Sequence, residues 1–307
     1  MAVKTAQVII NGQTVTLTLN SSTGKYEAQL TAPAGSSFNL SGGYYPVSVK
    51  VTDTAGNETT ADSTHSTLGG SLRLYVKEQV KPIITIMSPS TGAYVTTDTP
   101  EIKFKATDNT VQTSGYSGVD KSTCTIKIGS KSITSGITWT ETEGGYIGTY
   151  TPTEALADGN QTISVDIKDN DGNAADTASC TFKVDTVAPS LTITAPTEGY
   201  ETNQGELNVV GTTDDVTSKP VNIAIKLNGT DCGTVEVSSD GSFGKKVNLT
   251  TQGENTIVVT ATDKAGKVTT VTRKVIFNTT APVIKSVQIT PNPVFAGNVY
   301  TITVEIE

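Results

Sequence analysis

Along most of the chain apolar and polar residues alternate singly, in short runs broken by clusters of Gly, Asn, Asp and Ser. A period of two places apolar side chains on one face of a strand and polar ones on the other. No stretch keeps apolar residues at helical spacing over several turns, so the pattern predicts an all-β chain. Three segments align with one another: YYPVSVKVTDTAGNETT, NQTISVDIKDNDGNAAD and ENTIVVTATDKAGKVTT. In each, an alternating strand runs into an Asp-x-x-Gly turn and a second strand follows. Val47, Val49 and Val51 occupy the places of Ile163, Val165 and Ile167, and of Ile257, Val259 and Ala261. Asp53, Asp169 and Asp263 open the turns, where a carboxylate can accept the turn's own amides. Gly56, Gly172 and Gly266 stand where such a hairpin needs positive φ.

A second landmark follows each hairpin: LYVKEQVKPIITI, FKVDTVAPSLTI and VIFNTTAPVIKSV. Pro82, Pro189 and Pro282 mark handovers between modules; the first two are 107 residues apart and the last two 93. Both spacings suit an immunoglobulin-type sandwich of about 100 residues. The expected organisation is 1–81, a module lacking its own strands A and B; 82–188, a module with an insertion between strands B and C; 189–281, a complete module; and 282–307, a partial module made of A and B. In 189–281 the strands read as SLTIT (A), ELNVVG (B), VNIAIKLNG (C), GTVEV (C′), SFGKKVNL (E), TIVVTATD (F) and TTVTRKVIF (G). Short Pro-containing junctions limit bending, which predicts a semi-rigid, elongated rod. Tyr300, Ile302, Val304 and Ile306 form one apolar face in the last segment. Either they complete the first module of a neighbouring copy, or they are a frayed tail.

Composition narrows the chemistry. Hydrophobic residues make up 35% of the 307 residues, low for one large globule but suited to several thin sandwiches. The net charge of -8, with no Lys/Arg cluster, excludes nucleic acid as a partner. No run is long and apolar enough for membrane insertion, and the opening MAVKTAQVIINGQ holds no signal-peptide core. The expected location is therefore a particle assembled in the cytoplasm without a signal peptide, or else the cell surface. Three cysteines give no disulfide framework. Cys124 and Cys180 fall on the inward faces of strands C and G of one module, on either side of F. That places them beyond disulfide reach as buried free thiols, whereas Cys232, beside a turn glycine, is expected to be exposed.

No catalytic constellation is legible. The one histidine, His65, lies in the loop ADSTHSTLGG, where Asp62 and Ser66 are merely sequence neighbours. Asp169, Asp171 and Asn173 begin like a calcium loop, but Cys180 stands where the closing glutamate belongs. Turn formation is the preferred reading and calcium the alternative; no cofactor is otherwise expected. Asp108 and the pair Asp214-Asp215 belong to B–C loops and could approach a junction. Tyr116, in the insertion 108–122, is the candidate for a ligand surface, with a cell-surface glycan as the class of ligand.

The repeated VTDTAGN (51–57), IKDNDGN (167–173) and ATDKAGK (261–267), with the handover VDTVAPSLTI (184–193), resemble bacterial immunoglobulin-like domains. Lys267 replaces the turn Asn in the third repeat, and the handover Asp185 is Glu78 after the first repeat and Asn278 after the third. The resemblance implies tandem immunoglobulin-like β-sandwiches with no enzymatic activity. It also implies two carriers. One is a phage tail, baseplate or tailocin, where the partners are other copies or other particle proteins; the other is a secreted adhesin or a spacer of a cell-wall protein. The ending ITPNPVFAGNVYTITVEIE is similar to the close of phage tail-associated proteins, and the particle is the favoured expectation.

Overall fold

The computed structural model describes residues 2–108 and 115–307, in two compact units, Met1–Asp185 and Thr186–Glu307. The rest of the insertion, 109–114, lies outside the described residues. Regular structure is almost wholly β, and no helix among the described residues is long and apolar enough to cross a membrane.

The first unit opens with β1 (Val3–Ile10) and β2 (Gln13–Thr16), joined at Asn11-Gly12. Both turn residues have positive φ, 47° and 75°, the geometry that favours Asn-Gly. A separate small hairpin, β3 (Thr18–Asn20) with β4 (Lys25–Glu27), precedes β5 (Tyr45–Asp53). β5 pairs with β1, setting Ala6 opposite Val51, Val8 opposite Val49 and Ile10 opposite Val47. On its far edge it carries β6 (Glu58–Ala61) and the short β7 (Arg73–Leu74). This sheet is thinly covered: among the described residues before Pro82, only Ala6 and Val76 are fully buried apolar side chains.

A complete sandwich follows within the same unit. Its strands are β8 (Ile83–Ser88), β9 (Tyr94–Val95), β10 (Ile102–Thr107), β11 (Val119–Ile128), β12 (Lys131–Ile133), β13 (Thr138–Thr142), β14 (Gly145–Tyr150), β15 (Gly159–Asp169) and β16 (Ala178–Val184). One sheet runs β13-β14-β10-β8 and the other β12-β11-β15-β16-β9. Alternation drives Phe104, Ile126, Ile163, Val165 and Phe182 into the shared core. The Phe104 ring lies over Gly148, where a Cβ would sit 2.4 Å from its Cζ, and Trp139 meets that ring edge-on at 5.6 Å. Cys124 on β11 and Cys180 on β16 are buried and unbridged, on either side of β15.

The second unit repeats the plan with β17 (Ser190–Ala195), β18 (Tyr200–Thr202), β19 (Glu206–Asp214), β20 (Asn222–Leu227), β21 (Thr230–Asp231), β22 (Ser242–Asn248), β23 (Gly253–Thr262) and β24 (Val268–Phe277). The sheets are β17-β19-β22 and β18-β24-β23-β20-β21. These are the A-B-E and G-F-C-C′ sheets of an immunoglobulin-like sandwich, and in both sandwiches a short A′ strand parallel to G edges the G-containing sheet. The strand expected at 233–237 does not form. Asp231 accepts the Gly233 N–H at 2.6 Å and turns the chain, Val235 enters the core, and Val237 makes only a lone bridge to Phe243. Cys232 is half-buried against this core rather than exposed, because that same turn tucks it inward.

The unit ends in a hairpin, β25 (Ile284–Thr290) with β26 (Thr301–Ile306). Val287 faces Val304 and Ile289 faces Ile302 across it. Every residue of β25 and β26 is exposed.

Candidate functional site

The Asp-x-x-Gly turns are built by their aspartates. Asp53 Oδ1 accepts the N–H of Ala55 (2.8 Å) and of Asn57 (2.9 Å), and its Oδ2 accepts the Asn57 side-chain amide at 2.9 Å. The Asn57 amide, followed by the backbone donors, holds the Asp53 carboxyl below its ordinary range. Asp169 repeats the arrangement with Asn173, at 2.8 Å to the backbone N–H and 2.7 Å to the side-chain amide. Asp263 takes the Lys267 N–H at 2.9 Å, but lysine offers no amide, and the buried Asp263 Oδ2 has no hydrogen-bond partner. Gly56, Gly172 and Gly266 supply φ of 90°, 96° and 88°.

In the first unit the second of these turns meets two other segments. The B–C loop contributes Asp108 and the connection before β8 contributes Glu78. Glu78, Asp108 and Asp169 are all buried, and each places a carboxylate oxygen within 4.8 Å of the other two. Asp108 Oδ2 accepts the Gly118 N–H at 2.6 Å, while its Oδ1 has no hydrogen-bond partner. Glu78 Oε2 accepts the N–H of Val80. Its Oε1 accepts the Asn173 amide at 3.1 Å and the Ser117 hydroxyl at 3.4 Å. None of the ion pairs among the described residues involves any of these three carboxylates.

Burial, aided by the negative neighbours Asp169 and Asp108, pushes the Glu78 carboxyl up to about 7. Burial, with Asp169 and Asp171 nearby, pushes Asp108 up to about 6. In the second unit, Asp215 and Asp263 bring carboxylate oxygens within 4.8 Å of each other. Asp215 Oδ1 is fixed by the N–H groups of Thr217 (2.8 Å) and Ser218 (2.6 Å).

Of Asp169, Asp171 and Asn173, which begin like a calcium loop in the sequence, Asp171 and Asn173 hold the connection before β8. Asp171 Oδ2 accepts the Glu78 N–H at 2.9 Å, and Asn173 donates to the Glu78 carbonyl at 3.1 Å. Glu78 and Asp108 were visible as oxygen-bearing handover and loop residues, but nothing in their spacing announces that they meet Asp169. Tyr116 is half-buried, and its carbonyl accepts the Asn39 amide at 2.8 Å; a groove there is lined by Gly35, Asn39, Tyr45 and Tyr116. His65 is exposed, with Nδ1 facing the N–H groups of Thr67 and Leu68, both at 3.2 Å. Asp62 is occupied by Thr64. Tyr300, Ile302, Val304 and Ile306 are 50%, 53%, 44% and 62% exposed on their hairpin.

Residues 189–279 match the family model of Glucodextranase, domain B. Bacillopeptidase F of Bacillus subtilis (strain 168) is 32% identical over 144 residues, which are 47% of this chain and 9% of that protein. Among solved structures, the chain is similar to fibronectin(III)-like modules of Clostridium thermocellum CbhA: 19% identity, TM-score 0.36, covering 64% of this chain and 94% of that one. It is also similar to a tetra-tandem repeat in the extending region of a large adhesion protein, with 16% identity and TM-score 0.33, covering 98% of this chain and 79% of that one. A third is a structure concerned with host cell surface retention of a 1.5-MDa bacterial ice-binding adhesin: 21% identity, TM-score 0.34, covering 89% and 86%. Sandwiches of this kind serve unrelated duties, so a fold likeness at such identities carries no function with it.

Proposed function

We propose that this chain is a non-catalytic run of immunoglobulin-like modules that presents or spaces another part of a larger bacterial protein or assembly. The repetition of one strand plan, in 82–184 and again in 190–277, is the observation that most supports this reading. The loops of both copies end in aspartate turns and buried carboxylates, and His65 sits exposed on a loop with its Nδ1 facing backbone amides. A nucleophile needs a base held at hydrogen-bond distance by packed elements, and His65 is not so held. The match to a stretch amounting to 9% of a peptidase, and to one domain of a glucodextranase, supports a duty carried inside larger proteins.

The carrier is a cell-surface protein on this reading, with a phage tail or tail-like particle as the other bearer of such modules. Immunogold labelling of intact cells and of lysates induced to release particles tests it. Gold along intact cell surfaces is the expected result. Gold on tail or baseplate structures alone transfers the array to the particle. Label confined to the cytoplasm of cells that release no particles overturns the presenting role altogether.

A further inference from the structure

We infer that Glu78, Asp108 and Asp169 form a calcium site that ties the connection between the first sheet and the following sandwich to that sandwich's B–C and F–G loops. The inference stands on geometry and does not depend on the reading above. Three carboxylates share a space in which each offers an oxygen within 4.8 Å of the others, and all are more than nine-tenths buried. Burying one ionised carboxylate without a partner costs several kcal/mol, and buried charges are therefore paired or coordinate metals. Here no lysine or arginine among the described residues pairs with any of the three.

The second observation is the unsatisfied Asp108 Oδ1, buried with no donor while its sister oxygen is pinned by Gly118. An acceptor left bare beside two further carboxylates calls for a cation rather than another hydrogen-bond donor. The donor set is all oxygen, with neither thiolate nor imidazole, and it is gathered from three loops instead of one rigid frame. Calcium accepts six to eight oxygens at irregular angles, whereas magnesium demands a near-ideal octahedron and zinc favours nitrogen and sulfur. The second unit offers independent support. The corresponding loop and turn bring Asp215 and Asp263 together, and again one buried oxygen, Asp263 Oδ2, has no hydrogen-bond partner.

Glu78 is the residue that gives the site a consequence. It belongs to the connection between β7 and β8, already held by Asp171 and Asn173 through its own backbone. Ligation of its carboxylate would fix that connection from the side-chain end as well. A segment whose fixation depends on a cation is a hinge that stiffens when calcium is present.

The test is calcium titration of the full chain, stripped with chelator, followed by calorimetry and thermal unfolding, alongside Asp108→Asn. The native chain is expected to bind calcium with a dissociation constant on the order of 10⁻⁴ M or tighter. Its melting midpoint should rise by several degrees with calcium and not with equimolar magnesium. Asp108→Asn removes a buried charge, so it should keep or raise the calcium-free midpoint while binding one calcium fewer per chain. Trypsin cleavage after Lys77 should slow in calcium for the native chain only. No calcium heat up to millimolar concentration, or equal stoichiometry in Asp108→Asn, overturns the site. An Asp108→Asn chain that fails to fold shifts the decision to Glu78→Gln, judged by the same loss of one equivalent.

Discussion

At the scale of residues, the Asp-x-x-Gly turns show how one side chain sets a local structure. Asp53 and Asp169 each satisfy both oxygens, because an asparagine four residues on returns both its backbone and side-chain N–H. Lys267 returns only the backbone N–H, which leaves Asp263 Oδ2 bare. Leaving a buried acceptor unpaired costs about 1–3 kcal/mol, and a made hydrogen bond to a charged group recovers a comparable amount. Lys267→Asn is therefore expected to stabilise the second unit by ~1 kcal/mol, read as a raised urea midpoint at unchanged slope in the presence of chelator. An unchanged midpoint would mean that the Oδ2 was never short of a partner. These turns were legible in the sequence because everything that forms them lies within five consecutive residues. The three-carboxylate site was not, since Glu78, Asp108 and Asp169 come from segments far apart in the chain and only the closed fold brings them together. The linear pattern pointed to Asp169 with Asp171 and Asn173; Asp169 belongs to the buried cluster, and the side chains of the other two fasten the backbone of Glu78.

At the scale of elements, the two sandwiches solve one packing problem in mirror fashion. In the first, Phe104 on the B strand faces Gly148 on the E strand; in the second, Gly211 on B faces Phe243 on E. The ring needs the space a side chain would take. A Cβ on Gly211 would sit 2.7 Å from Phe243 Cζ and 2.3 Å from the Thr192 carbonyl oxygen. Gly211→Ala is thus expected to destabilise by about 1–3 kcal/mol through overpacking. Gly244→Ala, where a Cβ meets nothing within 4 Å, serves as control and should be neutral or mildly stabilising. Equal effects from the two substitutions, compared by denaturant unfolding, would remove the steric account. The long strands were legible from their period of two. The A′ strands were not, because Tyr94–Val95 and Tyr200–Thr202 are too short to show any period. The expected strand at 233–237 failed for the opposite reason: GTVEV alternates like a strand, but the Asp231 turn sends Val235 into the core.

At the scale of the whole chain, those short strands decide how the modules answer a pull on their ends, which a presenting or spacing role would impose. In each sandwich the A′ strand enters near the N-terminal end and lies parallel to G, the last strand before the exit. The ladder is carried by Lys183 N–H to Ala93 O (2.8 Å) and Asp185 N–H to Val95 O (2.9 Å) in one. In the other, Gly199 N–H bonds Lys274 O (2.8 Å) and Asn278 N–H bonds Thr202 O (2.9 Å). Pulling opposite ends of a parallel pair loads its hydrogen bonds together in shear, whereas an antiparallel hairpin pulled from its open end gives way bond by bond. Single-molecule extension of the full chain is expected to show two high-force events, one releasing roughly 300 Å of contour from about 89 residues behind the first clamp and one roughly 250 Å from about 75 behind the second. The sheet before Pro82 has no parallel clamp among the described residues and should extend first, at several-fold lower force. Asn278→Pro, which removes the N–H donated to the Thr202 carbonyl, should lower one high-force event and leave the other in place. Two unaltered events in that variant would show that the load is carried elsewhere in the sandwich, and the A′ strand would lose its mechanical role.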